Sequence, residues 1–311
     1  MSEEKANFFW HGQALSLQEQ VCISSFVKHN FDVDVYCYNI DLILPAGVKK
    51  RNAEEIMPKP DLNKYTQREK KGDLAAFSDV FRYQLLNKKA GWWFDTDVLC
   101  VADVQEFIDK LTYKKNKLSL GYQSPGRING AVLFSEDEAF NSKLITGLIK
   151  AGVDFNWGEI GPRLITEVIA DLGYYDDVEK SDQYYPIHFS EYKKLLCPEY
   201  AEWCSKRTKN ALCIHLWSEV SRKNNLPTDK MPPLSSFLHR KYLEICPELV
   251  TKSVLPVNIA MNLSLEHRVV REIFRLKDRI RWKLKKWRFV KTSKGRRKPS
   301  TTLADQDCCE R

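Results

Sequence analysis

The segment that most constrains the fold is an apolar helix and a short apolar strand followed by two acidic residues. Helical spacing of apolar side chains predicts a helix from about Leu74 that stops at Lys88-Lys89-Ala90-Gly91, and the strand Trp92-Trp93-Phe94 follows. The strand ends in Asp95-Thr96-Asp97. Carboxylates two residues apart on a continuing strand point to opposite faces, so they can reach one ion only where the chain bends. Since such oxygen ligands suit Mg²⁺ and Mn²⁺, this bend is a candidate metal site.

The predicted helix also carries polar residues that could face the same cleft. Asp79 and Arg82 are three residues apart and therefore share one helix face, and Ser78 precedes them. A carboxylate can accept hydrogen bonds from sugar hydroxyls, and a guanidinium can donate hydrogen bonds to phosphate or sugar oxygens. Together with a metal-binding carboxylate pair, these groups indicate a pocket for a nucleotide sugar.

These residues resemble the shared block of the DxD-containing glycosyltransferases. That family includes α-1,4-galactosyltransferases, yeast initiating mannosyltransferases and, more distantly, the glucosylating clostridial toxins. Its block reads S-D-x-x-R, an apolar helix, then G-G-x-Y/W-L/F-D-x-D. The chain matches it at Ser78, Asp79, Arg82, Gly91, Trp93, Phe94, Asp95 and Asp97. Ala90 replaces the first glycine of the pattern.

Further segments resemble the same family in the expected order, so the likeness covers about residues 7–220. They are Phe8-Phe9-Trp10-His11-Gly12, the N-G-A strand Asn129-Gly130-Ala131-Val132-Leu133, the helix start Trp157-Gly158-Glu159-Ile160-Gly161-Pro162-Arg163-Leu164-Ile165-Thr166, and Ile214-His215-Leu216-Trp217-Ser218. A bare DxD is frequent by chance, whereas four ordered blocks are much harder to obtain accidentally.

The resemblance implies a role for each matched residue. The catalytic set would be Asp79, Arg82, Asp95, Asp97 and Asn129. The donor would be bound by Trp10, His11, Ser78, Asp79, Arg82, Asp95, Trp217 and Ser218. A cofactor, Mn²⁺ or Mg²⁺, would be held by Asp95, Asp97 and His215.

The order of predicted elements indicates an α/β fold with a mainly parallel central sheet. Strands near 7–10, 33–38, 118–122 and 131–134 alternate with helices near 16–29, 103–112 and 137–151, while 41–66 is polar and contains prolines. The resemblance makes this a GT-A-like nucleotide-diphospho-sugar transferase fold. It also implies a metal-dependent enzyme that moves a hexose, with retention of configuration, from a nucleoside-diphosphate sugar such as UDP-hexose. The acceptor would be a hydroxyl of a glycan or glycolipid, such as lipooligosaccharide or capsule in polysaccharide biosynthesis.

Charge is concentrated near the C-terminus. Residues 268–298 hold fifteen Lys or Arg against two acidic residues, although the net charge of the whole chain is only +8. Apolar residues there lie on one helical stripe, namely Val269, Ile273, Leu276, Ile280, Leu284 and Trp287. This pattern predicts a basic amphipathic helix on an anionic membrane surface, where each basic residue contributes about 1 kcal/mol.

We therefore predict four parts: a catalytic domain over 1–226, a Pro-containing and helical connection over 227–262, the amphipathic helix over 263–290 and a disordered tail over 291–311. Membrane contact is expected through 263–298. The N-terminus resembles no secretion signal and no apolar run is long enough to span a bilayer. The expected location is therefore cytoplasmic, peripheral on the inner face of the cell membrane.

Two other classes of protein remain open. A phosphohydrolase of the haloacid-dehalogenase type also uses a D-x-D after an apolar strand, but Leu99 stands where that family usually has Thr or Val. The basic block could instead belong to a non-enzymatic nucleic-acid-binding or membrane-binding protein. Its aromatic residues lie on the apolar stripe and are not spaced as stacking platforms, so no specific nucleic-acid partner is expected.

The single residues also have simpler interpretations. Asp95 and Asp97 could form a solvated turn, and Asp79 and Arg82 an ordinary surface pair. His215 lies between apolar neighbours and fits a core histidine as well as a ligand.

Overall fold

The computed structural model describes residues 4–60, 66–67, 70–71, 74–152, 154–155 and 158–257. Side chains are described within these ranges except at 66–67, 70–71 and 154–155. The predicted amphipathic helix, the predicted tail, the last residues of the predicted connection and Trp157 lie outside the described residues.

The strands, numbered along the chain, are β1 Lys5–Trp10, β2 Asp32–Cys37, β3 Val48–Asn52, β4 Thr66–Gln67, β5 Lys70–Lys71, β6 Gly91–Phe94, β7 Val98–Cys100, β8 Leu118–Ser124, β9 Arg127–Ser135, β10 Asp154–Phe155, β11 Val178–Glu179 and β12 Cys213–His215. The α-helices are α1 Leu17–Lys28, α2 Leu74–Lys89, α3 Val104–Thr112, α4 Glu138–Ala151, α5 Leu164–Leu172, α6 Ser181–Tyr184, α7 Ala201–Arg207, α8 Ser218–Lys223 and α9 Phe237–Ile245. A π-helical turn, Glu159–Arg163, precedes α5, and the longest 3-10 helix is Phe189–Leu196.

Seven strands form the central sheet in the order β11-β8-β9-β6-β1-β2-β3. All neighbouring pairs are parallel except the two that involve β9, which runs against both β6 and β8. The predicted α/β class with a mainly parallel central sheet is confirmed. Because β1, β2 and β6 are parallel neighbours, the residues that follow each of them lie at the same edge of the sheet.

Alternation along β6 explains why the sheet is covered on both faces. Trp92 and Phe94 pack toward one face, where the Phe94 ring lies 4.3 Å from that of Phe26 on α1. Trp93 points to the other face, where its ring lies 6.3 Å from that of Phe81 on α2. All three β6 aromatics are essentially inaccessible to solvent. Period-two alternation of large side chains thus fixes β6 in the middle of a helix–sheet–helix sandwich.

A second, antiparallel pairing joins β7 to β12, strands far apart in the sequence. His215 lies opposite Val98, and the Leu216 N–H donates to the carbonyl of Asp97 at 2.8 Å. The chain after the DxD therefore brings the end of β12 directly beside it.

The described part of the segment after residue 226 packs on α1. The Gln18 N–H donates to the Thr228 carbonyl at 3.0 Å, and Met231 bridges to Val254. Among the helices that the structure describes, none combines the length and the apolar character that a bilayer crossing requires.

Candidate active site

The chain bends directly after β6, and this bend lets both carboxylates of the DxD face one point. The Asp95 N–H donates to the Ala131 carbonyl at 2.8 Å, and the Val98 N–H returns to the Asp95 carbonyl at 3.0 Å. Asp95, Asp97 and His215 each offer a ligand atom, and these atoms lie within 4.8 Å of one another. These residues therefore form a three-ligand cluster and not a simple solvated turn. We call Asp95, Asp97 and His215 the metal triad.

Asp97 is held from two sides. Its Oδ1 lies 3.1 Å from His215 Nε2, and its Oδ2 accepts the Ser218 N–H at 2.7 Å. Burial by itself would raise the pKa of Asp97, but the nearby imidazole and the Ser218 N–H outweigh it and lower the pKa to about 2. Asp97 is therefore an anion at neutral pH, as a metal ligand must be.

His215 is buried, with 7% of its surface exposed, and its ring centroid lies 4.1 Å from that of Trp217. Its Nδ1 is buried and has no hydrogen-bond partner among the described residues. A histidine that served only to fill the core would normally satisfy this atom. Two carboxylates and one imidazole fit a divalent cation.

Arg82 lies buried between two acids. Its Nη1 donates to Asp79 Oδ1 at 2.7 Å and its Nη2 to Asp95 Oδ1 at 2.6 Å. Trp93 contacts both members of this pair. Its Nε1 donates to the same Asp95 oxygen at 2.7 Å, and the guanidinium carbon of Arg82 lies over its ring, 5.2 Å from the centroid. Burial would lower the pKa of Arg82, but the two carboxylates raise it above its ordinary value. With only 4% of Arg82 exposed, this is not an ordinary surface pair.

Two glycines make room for this ion pair. A Cβ on Gly130 would lie 2.6 Å from Arg82 Nη1, and a Cβ on Gly161 would lie 2.7 Å from Asp79 Oδ2. The two glycines of the N-G-A and G-P motifs therefore form the walls against which Asp79 and Arg82 are packed.

Asn129 stabilises an irregular part of β9. Its Oδ1 accepts the Ala131 N–H at 2.8 Å, and its Nδ2 donates to Gln123 Oε1 at 2.6 Å. The Tyr185 hydroxyl donates to the Asn129 carbonyl at 3.2 Å and accepts the Val132 N–H at 3.1 Å. The side chain of Asn129 thus has partners on the protein for both polar groups.

The predicted donor-binding residues lie at two places. Trp10 and His11 are at the end of β1, whose neighbour in the sheet is β6, and both are partly buried. The pKa of His11 is lowered, first by burial and then by Lys59. Ser78, also partly buried, precedes Asp79 on α2.

Trp217 and Ser218 follow β12 and contact the metal triad at His215 and Asp97. Trp217 has a left-handed backbone, with φ 50° and ψ 55°, and its Nε1 donates to the Ile187 carbonyl at 2.8 Å. Ser218 accepts from Gln18, whose Nε2 donates to its Oγ at 2.7 Å.

Tyr185 and Gln18 are contact residues that sequence reasoning missed. Tyr185 connects Asn129 to the ring of His215, which lies 5.8 Å from its own ring, and Gln18 holds Ser218. Neither is close in sequence to the residue that it supports, so no local spacing could have indicated them.

Comparisons with known proteins agree with a glycosyltransferase. The family model described as the alpha 1,4-glycosyltransferase conserved region matches residues 134–252. This segment contains His215, Trp217 and Ser218, whereas the two aspartates of the DxD precede it. No curated protein matches the chain in sequence.

Solved structures with a related backbone include the PaToxG glycosyltransferase, with 11% identity and a TM-score of 0.37 over 55% of this chain and 69% of that one. The apo structure of the bifunctional glycosyltransferase WbbM has 10% identity and a TM-score of 0.40. Its match covers 81% of this chain and 50% of WbbM, so the chain spans about half of that protein. Both TM-scores are below 0.5, and neither structure adds to the assignment.

The matched region and the DxD motif meet in the folded chain, since His215 and Ser218 from the one contact Asp97 from the other. The predicted glycosyltransferase is confirmed, and the DxD is consistent with it. The match gives no support to a phosphohydrolase or to a non-enzymatic binding protein. The chain is a glycosyltransferase, and its residues 134–252 are similar to the alpha 1,4-glycosyltransferase conserved region.

Proposed function

We propose that the chain is a metal-dependent, retaining hexosyltransferase that uses a nucleoside-diphosphate sugar, with UDP-hexose as the donor. One observation carries this proposal: Asp95, Asp97 and His215 converge beside the buried pair of Asp79 and Arg82. Such a cluster offers separate places for a diphosphate and for the hexose attached to it.

The metal triad would hold the divalent cation, which when bound neutralises the charge that develops on a leaving diphosphate. Asp97 contributes an anion because its pKa is about 2. Arg82 keeps the Asp95 carboxylate in one orientation, since Nη2 and the Trp93 N–H both bind the same oxygen. Without these donors the carboxylate could rotate away from the point that Asp97 and His215 face.

Asp79 and Asn129 would bind the hexose. Arg82 fixes Asp79 Oδ1, which leaves the carboxylate in a defined place against Gly161. Asn129 lies on β9, next to β6 in the sheet, and is held by Ala131 and Gln123. Fixed partners of this kind orient the anomeric carbon at little entropic cost. Retention of configuration follows from the family resemblance, and so does a hydroxyl of a glycan or glycolipid as acceptor.

The basic stretch 263–298 supports the proposal of a membrane-bound acceptor. A cationic amphipathic helix would hold the enzyme on an anionic leaflet, peripheral on the cytoplasmic face, close to a lipid-linked glycan.

Release of UDP from a panel of UDP-hexoses tests the proposal, measured with Mn²⁺, with Mg²⁺ and with excess chelator. We expect activity with a divalent cation, and a loss of at least a hundredfold with chelator or in Asp97→Asn. Asp171→Asn changes an exposed aspartate of α5 and serves as the matched control. Full activity of Asp97→Asn, or of the wild type in chelator, would contradict the metal role.

A further inference from the structure

Three aromatic rings form a continuous path from the metal triad to the surface. The Trp217 ring lies 4.1 Å from His215 and 5.8 Å from Phe189, and the Phe189 ring lies 3.9 Å from His188. We call His188, Phe189 and Trp217 the aromatic ladder. It begins in contact with the metal ligand His215, whereas Arg82 contacts a different ligand, Asp95.

The two outer rings of the aromatic ladder are more exposed than the inner one. Trp217 is 8% exposed, His188 is partly buried, and Phe189 is 43% exposed. A single exposed aromatic residue is common on a protein surface. Here two adjacent rings, His188 and Phe189, are accessible to solvent, and they continue into the buried Trp217 ring, which contacts a metal ligand. Together these rings form a surface on which the flat apolar face of a ligand can pack.

The aromatic ladder is held rigidly at its inner end. Trp217 adopts a left-handed backbone with φ 50°, a conformation that costs a residue other than glycine free energy. Its Nε1 donates to the carbonyl of Ile187, the residue before His188. The two chain segments that carry the aromatic ladder are therefore tied to each other directly at its inner end.

The outer end carries an oriented hydrogen-bond donor. The His188 Nδ1 accepts the Ser190 N–H at 3.3 Å and lies 2.8 Å from Ser190 Oγ. Burial lowers the pKa of His188, so its ring is neutral at pH 7. Because Nδ1 is an acceptor, the proton resides on Nε2, which can donate to a hydroxyl beside the aromatic faces.

We propose that the aromatic ladder is the acceptor subsite and binds a hexopyranose ring, an inference that rests on the proposed function. It assigns Trp217, which was expected among the donor-binding residues, to the acceptor instead. The C–H face of a pyranose packs on aromatic rings, while its equatorial hydroxyls meet donors at the rim such as His188 Nε2. The position fits an acceptor because the donor hexose is assigned to Asp79 and Asn129. An acceptor on the ladder would reach the triad at His215.

The test separates acceptor binding from donor binding. Methyl glycosides of glucose, galactose, mannose and N-acetylglucosamine serve as acceptors, with a UDP-hexose and Mn²⁺, and transfer and acceptor-free UDP release are both measured. We expect Phe189→Ala to raise the acceptor KM at least tenfold and the donor KM less than twofold, and Phe189→Tyr to restore the acceptor KM. Tyr175→Ala, which removes another exposed aromatic side chain, is the matched control.

Three results would overturn the proposal. An unchanged acceptor KM in Phe189→Ala would show that the aromatic ladder does not bind the acceptor, and a selective rise in donor KM would show that it binds the nucleobase. A wild type that releases UDP but neither transfers to the methyl glycosides nor binds them in saturation-transfer NMR would exclude a hexopyranose. If no UDP is released, the proposed function fails, and the NMR comparison of wild type with Phe189→Ala still decides whether the ladder binds sugar.

Discussion

Replacing Arg82 by Met should destabilise the protein because it leaves two carboxylates without their shared cation. Both Nη groups of Arg82 are engaged, at 2.7 Å to Asp79 and 2.6 Å to Asp95, and the guanidinium is buried. Methionine keeps most of the apolar stem and its packing against Trp93, so the change removes charge and hydrogen bonds more than volume.

The structure sets the size of the effect. Removing one partner of a buried ion pair costs about 3–5 kcal/mol. Here the side chains of Asp79 and Asp95 are 18% and 27% exposed, so water partly solvates them after the change. We therefore expect the lower end, about 3 kcal/mol, which lowers the Tm of a domain of this size by about 6–12 °C.

Urea unfolding and thermal melts in excess chelator measure this cost without a contribution from bound metal. A double-mutant cycle with Asp79→Asn isolates the interaction between the two side chains, and we expect the double variant to be less destabilised than the sum of the single changes. Additivity within about 0.5 kcal/mol, or a Tm of Arg82→Met within about 2 °C of the wild type, would refute the reasoning.

Three further changes have expected outcomes. Gly161→Ala places a Cβ 2.7 Å from Asp79 Oδ2. It should lower the free energy of unfolding by about 1–3 kcal/mol and raise the donor KM. Gly147→Ala, whose Cβ would lie nearest to the side chain of Leu164, should leave the donor KM unchanged. Tyr185→Phe removes the partner of two backbone groups and should cost about 1–3 kcal/mol in urea unfolding. The folded-state pKa of Asp97 is about 2, below its ordinary value of 3.8. Ionised Asp97 therefore contributes about 2 kcal/mol to the free energy of unfolding above pH 4, and this contribution is lost between about pH 4 and 2. Chelator-treated Asp97→Asn should lose less stability than the wild type over that acid range.

Most of the central sheet could be predicted from local patterns. The strands expected near 7–10 and 33–38 are β1 and β2, because buried strands are continuous apolar runs. β3 was missed, since Val48–Asn52 reads VKKRN and lies at the edge of the sheet, where charged side chains are normal. Short strands such as β7 and β12 exist only through their mutual pairing, which no local pattern contains.

The site residues that could be predicted from the sequence were those that belong to a recognisable sequence motif. The DxD and the resemblance indicated Asp95, Asp97 and His215, and the structure brings them together. The sequence indicated that Arg82 would meet phosphate or sugar oxygens, whereas both of its Nη groups bind carboxylates of the protein. Spacing along a helix shows which face a side chain occupies, but its partner comes from tertiary packing.

The two carboxylate ligands of the metal triad are held by different parts of the chain, and this has a consequence for metal affinity. Arg82 on α2 fixes Asp95, the Ser218 N–H fixes Asp97, and Gln18 on α1 fixes Ser218 in turn. Residues that hold a metal ligand in place do not contact the metal themselves, yet removing one typically weakens metal affinity by about 10–100-fold. Gln18→Leu therefore tests the arrangement most directly, because it leaves all three ligands in place. A weaker Mn²⁺ affinity in this variant, measured by titration calorimetry, would show that the geometry of the site depends on the packing of α1.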